Sequence, residues 1–100
     1  MKLKNYTCKK SIALIISCEK STRGLDDCVM HADRQIIPFN KKYILFRDLK
    51  AMLRYTGKYH DYIFAIRPGI ETGCDIVAAI TNPTKINPDY VMNILEGYAE

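Results

Sequence analysis

Blocks of apolar and polar residues predict three strands in the first part of the chain. Residues 11–18 form a near-continuous apolar run with three isoleucines, which is typical of a strand covered on both faces. The polar segment 19–27 predicts a loop. Residues 28–32 and 35–39 are short apolar segments that predict a second and a third strand. Pro38 places the third strand at the edge of a sheet, or marks the point where that strand ends.

Residues 40–57 have the spacing of an amphipathic helix. Its apolar face comprises Leu45, Leu49, Met52, Leu53 and Thr56. Gly57 is a suitable end for this helix. Residues 43–46 leave an alternative open, since they could instead form a hairpin with residues 35–39. The helix would then begin near Arg47.

The second half of the chain predicts a strand followed by two helices. Residues 62–66 are apolar and indicate a buried strand. Thr72 and Asp75 have the spacing of a capping box, so they predict the start of a helix whose apolar body is residues 76–80. Residues 87–89 have the sequence Asn-Pro-Asp, which is typical of a helix start. The apolar stripe of this last helix comprises Tyr90, Val91, Ile94, Leu95 and Tyr98.

The predicted order of elements is therefore β-β-β-α-β-α-α. It indicates a small two-layer α/β or α+β domain, in which a sheet of three or four strands is covered by two or three helices. The chain has 100 residues, of which 48% are hydrophobic. This length and composition predict one globular domain over residues 1–100.

Positive charge is the first candidate for function. The net charge is +4, and one basic cluster comprises Arg47, Lys50, Arg54 and Lys58. Tyr55 and Tyr59 are interleaved with these cations, a pattern that can bind phosphates and stack on bases. The cluster therefore indicates a nucleic-acid-binding or small-anion-binding surface. Most basic surfaces of this density are simply solvated.

The turn from Arg67 to Gly69 is a second candidate anion site. A strand, a glycine-containing turn and a helix start, in that order, can bind an anion through backbone amides. Gly69 and Gly73 would allow close approach, and Arg67 would add a charge. Glu71 and Asp75 oppose this interpretation because their carboxylates already complement the helix dipole.

The four cysteines predict no metal site and no cofactor. None of them has a C-x-x-C spacing, and no catalytic set stands out. Cys74, at the predicted start of a helix, is the one candidate nucleophile. Residues 15–18 follow a basic N-terminal segment, and they leave open a bacterial lipoprotein signal. The apolar run is too short to span a bilayer, so we expect a cytoplasmic protein without a membrane span.

Residues 28–67 resemble the soluble domain of ExbD/TolR-type proteins. The resemblance lies in three segments, Val-Met-His-Ala-Asp-Arg at 29–34, Ile-Ile-Pro-Phe at 36–39 and Asp-Leu-Lys-Ala-Met-Leu at 48–53, followed by Gly57. It implies a small α/β fold and a tendency to self-associate or to bind partners. It implies no functional residue here.

The sequence favours a small non-enzymatic module that binds a protein partner or a second copy of itself. The seven tyrosines suit such contacts, and residues 35–39 could pair at an exposed sheet edge. The alternatives are binding of nucleic acid or a small anion, and a cysteine-dependent enzyme that uses Cys74.

Overall fold

The computed structural model describes residues 10–66 and 70–98. The described elements are β1 (Ile12–Ser17), α1 (Leu25–Asp33), β2 (Lys41–Phe46), α2 (Leu49–Leu53), β3 (Ile63–Ile66), β4 (Ile76–Thr81) and α3 (Tyr90–Glu96). The fold is a small α/β domain with a four-stranded sheet and three helices, as the sequence predicts. The order of elements is β-α-β-α-β-β-α, so the predicted order was wrong.

All four strands are parallel, in the order β3-β2-β1-β4. Strand β1 is central, and Ile12, Leu14 and Ile16 are almost completely buried. The apolar run at residues 11–18 therefore has the position that its composition predicts. The residue before β1 is hydrogen-bonded to the residue before β4, since the Asp75 carboxylate accepts hydrogen bonds from the Ser11 amide (3.0 Å) and hydroxyl (3.3 Å).

One face of the sheet carries the core, and the helices pack against it. Register places Leu14 of β1 beside Ala78 of β4, and Ile16 beside Ile44 of β2. Residues of α1 and α3 join the same apolar cluster, namely Leu25, Cys28, Val29, Ala32, Val91 and Leu95. We call this side the helix-covered face.

The opposite side of the sheet has no helix among the described residues. The strand residues that face this side are Ala13, Ile15, Ser17, Lys41, Tyr43, Leu45, Ile63, Ala65, Val77, Ala79 and Thr81. We call this side the helix-free face. On β4 the side chains alternate between buried on the helix-covered face and exposed on the helix-free face.

The segment predicted as a second strand is helix α1, so that prediction was wrong. Its buried residues Leu25, Cys28, Val29 and Ala32 recur at the spacing of one helix face. Gly24 precedes the helix with a φ of 81°, a conformation that favours glycine.

Residues 35–39 form no strand either, and the predicted pairing edge is not there. Gln35 instead joins α1 to α3. Its side-chain amide donates to the Asn87 carbonyl at 2.6 Å and to the His31 carbonyl at 3.3 Å, and its oxygen accepts the Val91 amide at 3.0 Å. These bonds satisfy a polar side chain that is only 9% exposed.

Residues 40–57 are not one helix. The alternative prediction of a strand at residues 43–46 is correct, but β2 pairs with β1 in parallel and not in a hairpin. Helix α2 is short and begins after Asp48, whose carboxylate accepts the Ala51 amide at 2.8 Å. The predicted apolar face is also wrong, since Leu49 and Leu53 are exposed.

The helix predicted from Thr72 is strand β4, so this prediction was wrong as well. Thr72 is buried, and its hydroxyl accepts the Cys74 amide at 3.1 Å within an irregular segment. A six-residue apolar run is ambiguous between strand and helix. Here the parallel pairing with β1 decides between them.

Two further predictions, the strand at residues 62–66 and the last helix, were confirmed in part. The strand predicted at residues 62–66 is β3, but it lies at the edge of the sheet and none of its four residues is fully buried, so the prediction that it is buried was wrong. Helix α3 follows the Asn-Pro-Asp sequence and buries Val91 and Leu95, whereas Tyr98 of the predicted stripe lies beyond its end and is exposed. None of the helices in the described residues is both long enough and apolar enough to cross a membrane.

Candidate anion-binding cleft

A cleft of about 270 Å³ lies at the carboxyl ends of β1 and β2. The segment after β1 contributes Cys18, Lys20, Ser21 and Thr22, and the segment after β2 contributes Arg47, Asp48, Lys50, Ala51 and Arg54. Because parallel strands end at the same edge of a sheet, two segments distant in sequence meet here. This edge is where open α/β sheets bind their ligands.

The cleft is lined by four cations and one carboxylate. The cations are Lys20, Arg47, Lys50 and Arg54, and all four are exposed. In residues 10–66 and 70–98 the one ion pair is Lys42 with Asp33, so these four cations form no ion pair with a described residue. The Asp48 carboxylate accepts the Ala51 amide. The cleft therefore has an excess of positive charge that is available to a ligand.

Cys18 forms part of the floor and adds no negative charge. Its side chain is 1% exposed. Burial, followed by the neighbouring thiol of Cys28, raises the pKa of Cys18 from 9.0 to about 11. The thiol is therefore protonated at neutral pH and is a poor nucleophile.

Asn82, directly after β4, holds the segment that follows β1. Its side-chain oxygen accepts the Lys20 amide at 2.9 Å, and its own amide donates to the Ser17 carbonyl at 2.6 Å. Asn82 has a φ of 65°, which asparagine tolerates better than most residues. The end of β4 thus fixes one wall of the cleft without lining it.

Three of the predicted basic residues, Arg47, Lys50 and Arg54, come together in this cleft. Lys58 does not line it, and its ammonium lies 5.8 Å from the centre of the Tyr55 ring. The residues that sequence reasoning missed are Lys20, Ser21 and Thr22. Their position directly after a buried strand could have indicated a site at the end of that strand. It could be combined with the Arg47 segment only once β1 and β2 were known to be neighbours.

Tyr55 and Tyr59 belong to an aromatic cluster at the β3 side of the sheet. Tyr55 stacks on Phe46 with ring centres 5.6 Å apart and on Tyr59 at 5.9 Å. The Tyr59 hydroxyl also donates to the Asp26 carboxylate. The rings thus pack on one another and on the core, and base stacking by them stays a prediction.

A second hollow, of about 440 Å³, shares Thr22 with the cleft and has the opposite character. It is lined by Thr22, Arg23, Gly24, Leu25, Asp26, Asp27 and Tyr55. The two adjacent aspartates reduce its attraction for an anion. The positive charge is therefore concentrated in the cleft between the β1 and β2 segments.

Gly73 and Cys74 are predicted site residues that do not line the cleft. Arg67 and Gly69 are outside the described residues. Gly73 is exposed in the irregular segment before β4, with a φ of 71°. Cys74 lies in the same segment and not at a helix start, so the reason for expecting an activated thiol there is absent.

Within the described residues, no group of three or more histidine, cysteine, aspartate or glutamate side chains is arranged to hold a metal ion. No family model, curated protein or solved structure matches the chain. The resemblance to ExbD/TolR-type domains therefore stays a prediction. The residues quoted for it at 29–33 lie on helix α1.

Proposed function

We propose that this protein binds a small anionic molecule, of the phosphorylated class, in the cleft at the carboxyl ends of β1 and β2. The observation that carries the proposal is the convergence of Lys20, Arg47, Lys50 and Arg54 on one concavity. Guanidinium groups can bind a phosphate with two hydrogen bonds, and ammonium groups act as point charges. The hydroxyls of Ser21 and Thr22 add neutral donors.

The size of the cleft favours a small molecule over a nucleic acid. Ligand pockets are commonly about 300–1,000 Å³, and this cleft, at about 270 Å³, is slightly below that range. One or two phosphoryl groups with a small organic part would fill it. A nucleic-acid site would instead need contacts along a longer stripe.

Binding is favoured over catalysis by the residues that line the cleft. Cys18 is a protonated thiol at neutral pH, and the Asp48 carboxylate caps a helix. The remaining ionisable lining residues are cations, so the cleft contains no activated nucleophile, and one oxygen of its single carboxylate is already engaged in the helix cap.

Calorimetric titration with pyrophosphate at low salt tests the proposal. Arg54→Gln and Lys50→Gln should each weaken binding about threefold to tenfold, because each removes one charge contact from a partly solvated site. Lys85→Gln is the matched control, since it removes one charge from an exposed position outside the cleft. Absence of pyrophosphate binding at low salt, or equal losses in all three variants, would overturn the proposal.

Titration with a mixed-sequence single-stranded oligonucleotide distinguishes a nucleic-acid-binding site from the proposed small-anion site. A nucleic-acid site would give a steep fall of affinity with salt and a loss in Lys58→Gln as large as that in Lys50→Gln. The proposed small-anion site predicts that Lys58→Gln binds pyrophosphate like the unmodified protein.

A further inference from the structure

Helix α2 exposes two leucines directly beside the cleft. Leu49 and Leu53 are 53% and 58% exposed, and no large apolar side chain in the described residues is more exposed than Leu53. Single exposed apolar residues are common on protein surfaces, but these two lie one helical turn apart and so form one stripe. Each of them is followed in the chain by a cation that lines the cleft, Lys50 and Arg54 respectively.

The inward side of α2 determines which side chains point away from the protein. Ala51 and Met52 pack against the hydrophobic core. Successive residues of a helix are about 100° apart around its axis, so the leucine stripe lies about 130° from the inward direction on one side, and the stripe of Lys50 and Arg54 lies about 130° from it on the other. The outermost line of α2 therefore runs between an apolar stripe and a cationic stripe.

Two further cations extend the positive charge across the cleft. Lys20 follows β1 and Arg47 follows β2, and both are exposed. Asp48 is the one carboxylate that lines the cleft, and its side chain caps α2. This side of the protein thus combines an apolar stripe with an excess of positive charge.

We infer that the protein docks on an anionic lipid bilayer through α2, a mode of binding that rests on the proposed anion site and takes a lipid phosphate as its ligand. Leu49 and Leu53 lie at the boundary between headgroups and acyl chains, and the cleft binds a headgroup phosphate. Surfaces that bind bilayers in this way place leucines beside lysines and arginines. Each lysine or arginine close to an anionic membrane raises the affinity about fivefold.

The size of the apolar stripe favours a bilayer over a protein partner. Helix α2 has five residues, so it is about 7.5 Å long and presents a face on the order of 100 Å². A standard protein interface buries about 800 Å² on each partner. A bilayer needs no such area, because its charge attracts exposed cations over a distance of about 8 Å at physiological salt. The attachment is therefore weak, reversible and dependent on anionic lipid.

Co-sedimentation with lipid vesicles tests the inference. At low salt the protein should bind vesicles of phosphatidylcholine mixed with phosphatidic acid, and it should not bind vesicles of phosphatidylcholine alone. Leu53→Gln should weaken vesicle binding about threefold to tenfold, because less apolar surface leaves water. It should leave pyrophosphate binding unchanged, since Leu53 does not line the cleft. Lys50→Gln should weaken binding to both.

Val77→Thr is the matched control for Leu53→Gln. Val77 is 48% exposed on β4, at the edge of the sheet opposite to β3, so the substitution makes an exposed side chain more polar far from α2. It should leave vesicle binding intact.

Tryptophan fluorescence reports directly whether α2 enters the bilayer. The chain has no tryptophan, so Leu53→Trp supplies a single fluorophore. Its emission should move to shorter wavelength when the anionic vesicles are added, whereas the emission of Val77→Trp should not move.

Pyrophosphate titration of the same proteins separates failure of the docking from failure of the anion site. Pyrophosphate binding without binding to anionic vesicles overturns the docking alone, and the ligand of the cleft is then a soluble molecule. Failure to bind pyrophosphate overturns the anion site and the docking with it. Equal binding to phosphatidylcholine alone overturns the docking, as does vesicle binding that Leu53→Gln leaves unchanged or that Val77→Thr weakens equally, because the contact then lies elsewhere.

Discussion

Replacement of Asn82 should separate two contributions that this one residue makes to the cleft. Its side chain accepts the Lys20 amide, and its backbone has a φ of 65°. Asn82→Gly removes the hydrogen bond but suits the backbone conformation. Asn82→Ala removes the hydrogen bond and also replaces asparagine, whose short polar side chain tolerates positive φ, with a residue for which that conformation is unfavourable.

The magnitudes follow from these two terms. A net hydrogen bond contributes about 1 kcal/mol, so Asn82→Gly should lower the free energy of unfolding by about 1 kcal/mol. The left-handed conformation adds about 1 kcal/mol for alanine, so Asn82→Ala should lower it by about 2 kcal/mol. For a domain of this size, each kcal/mol shifts Tm by about 4–8 °C.

Urea unfolding and pyrophosphate titration on the same three proteins provide the assay. Both variants should bind pyrophosphate more weakly by about threefold, because Lys20 and its neighbours lose the contact that orders their backbone. If Asn82→Ala is no less stable than Asn82→Gly, the argument from backbone conformation is refuted. If neither variant changes the affinity, then Asn82 does not position the cleft.

Three further outcomes follow from the described contacts. Gln35→Leu should lower the free energy of unfolding by about 2–4 kcal/mol in urea titrations, since it leaves the buried Val91 amide without its partner, whereas Ile36→Ala at the exposed neighbouring position should cost under about 1 kcal/mol. Burial raises the pKa of Cys18 from 9.0 to about 11. The unfolded chain therefore loses the Cys18 thiol proton at lower pH than the folded protein. The corresponding stabilisation of about 2 kcal/mol should be intact below pH 9 and decline as the pH rises towards 11. Cys18→Ala should make this decline less steep, and an equal slope in both proteins would show that Cys18 is not its cause. Asp48→Asn should preserve the helix cap and raise pyrophosphate affinity about threefold by removing a carboxylate from the cleft, and an unchanged affinity would place the ligand away from Asp48.

The parts of the fold that could be predicted are those where local sequence and tertiary position agree. Residues 11–18 read as a strand covered on both faces, and β1 is central. Helix α3 has a start sequence and an apolar stripe that agree with each other. In both cases a second signal supports the pattern: β1 is rich in β-branched isoleucine, and α3 has a helix-start sequence before its apolar stripe.

The errors arise where a short apolar run suits both structures. Residues 76–80 could be a helix body or a strand, and in the fold they form a strand paired with β1. A length of six, with Gly73 before it and Pro83 after it, was the signal for a strand. In α1, Leu25 and Cys28 lie one helical turn apart, but Leu25 falls within a segment that reads as a polar loop.

The cleft was only half predictable because a cluster in sequence is not a cluster in space. Arg47, Lys50 and Arg54 lie close together in the chain, so their grouping needed no tertiary information. Lys20 joins them only because β1 and β2 are adjacent and parallel, which depends on reading residues 25–33 as the helix that connects them. The assignment of that one segment thus determines the sheet order, the position of the cleft and the side on which the helices lie. The helix-free face follows from the same topology, since the connection from β3 to β4 is the shortest one between strands of the sheet, and its described part, residues 70–75, has no helix.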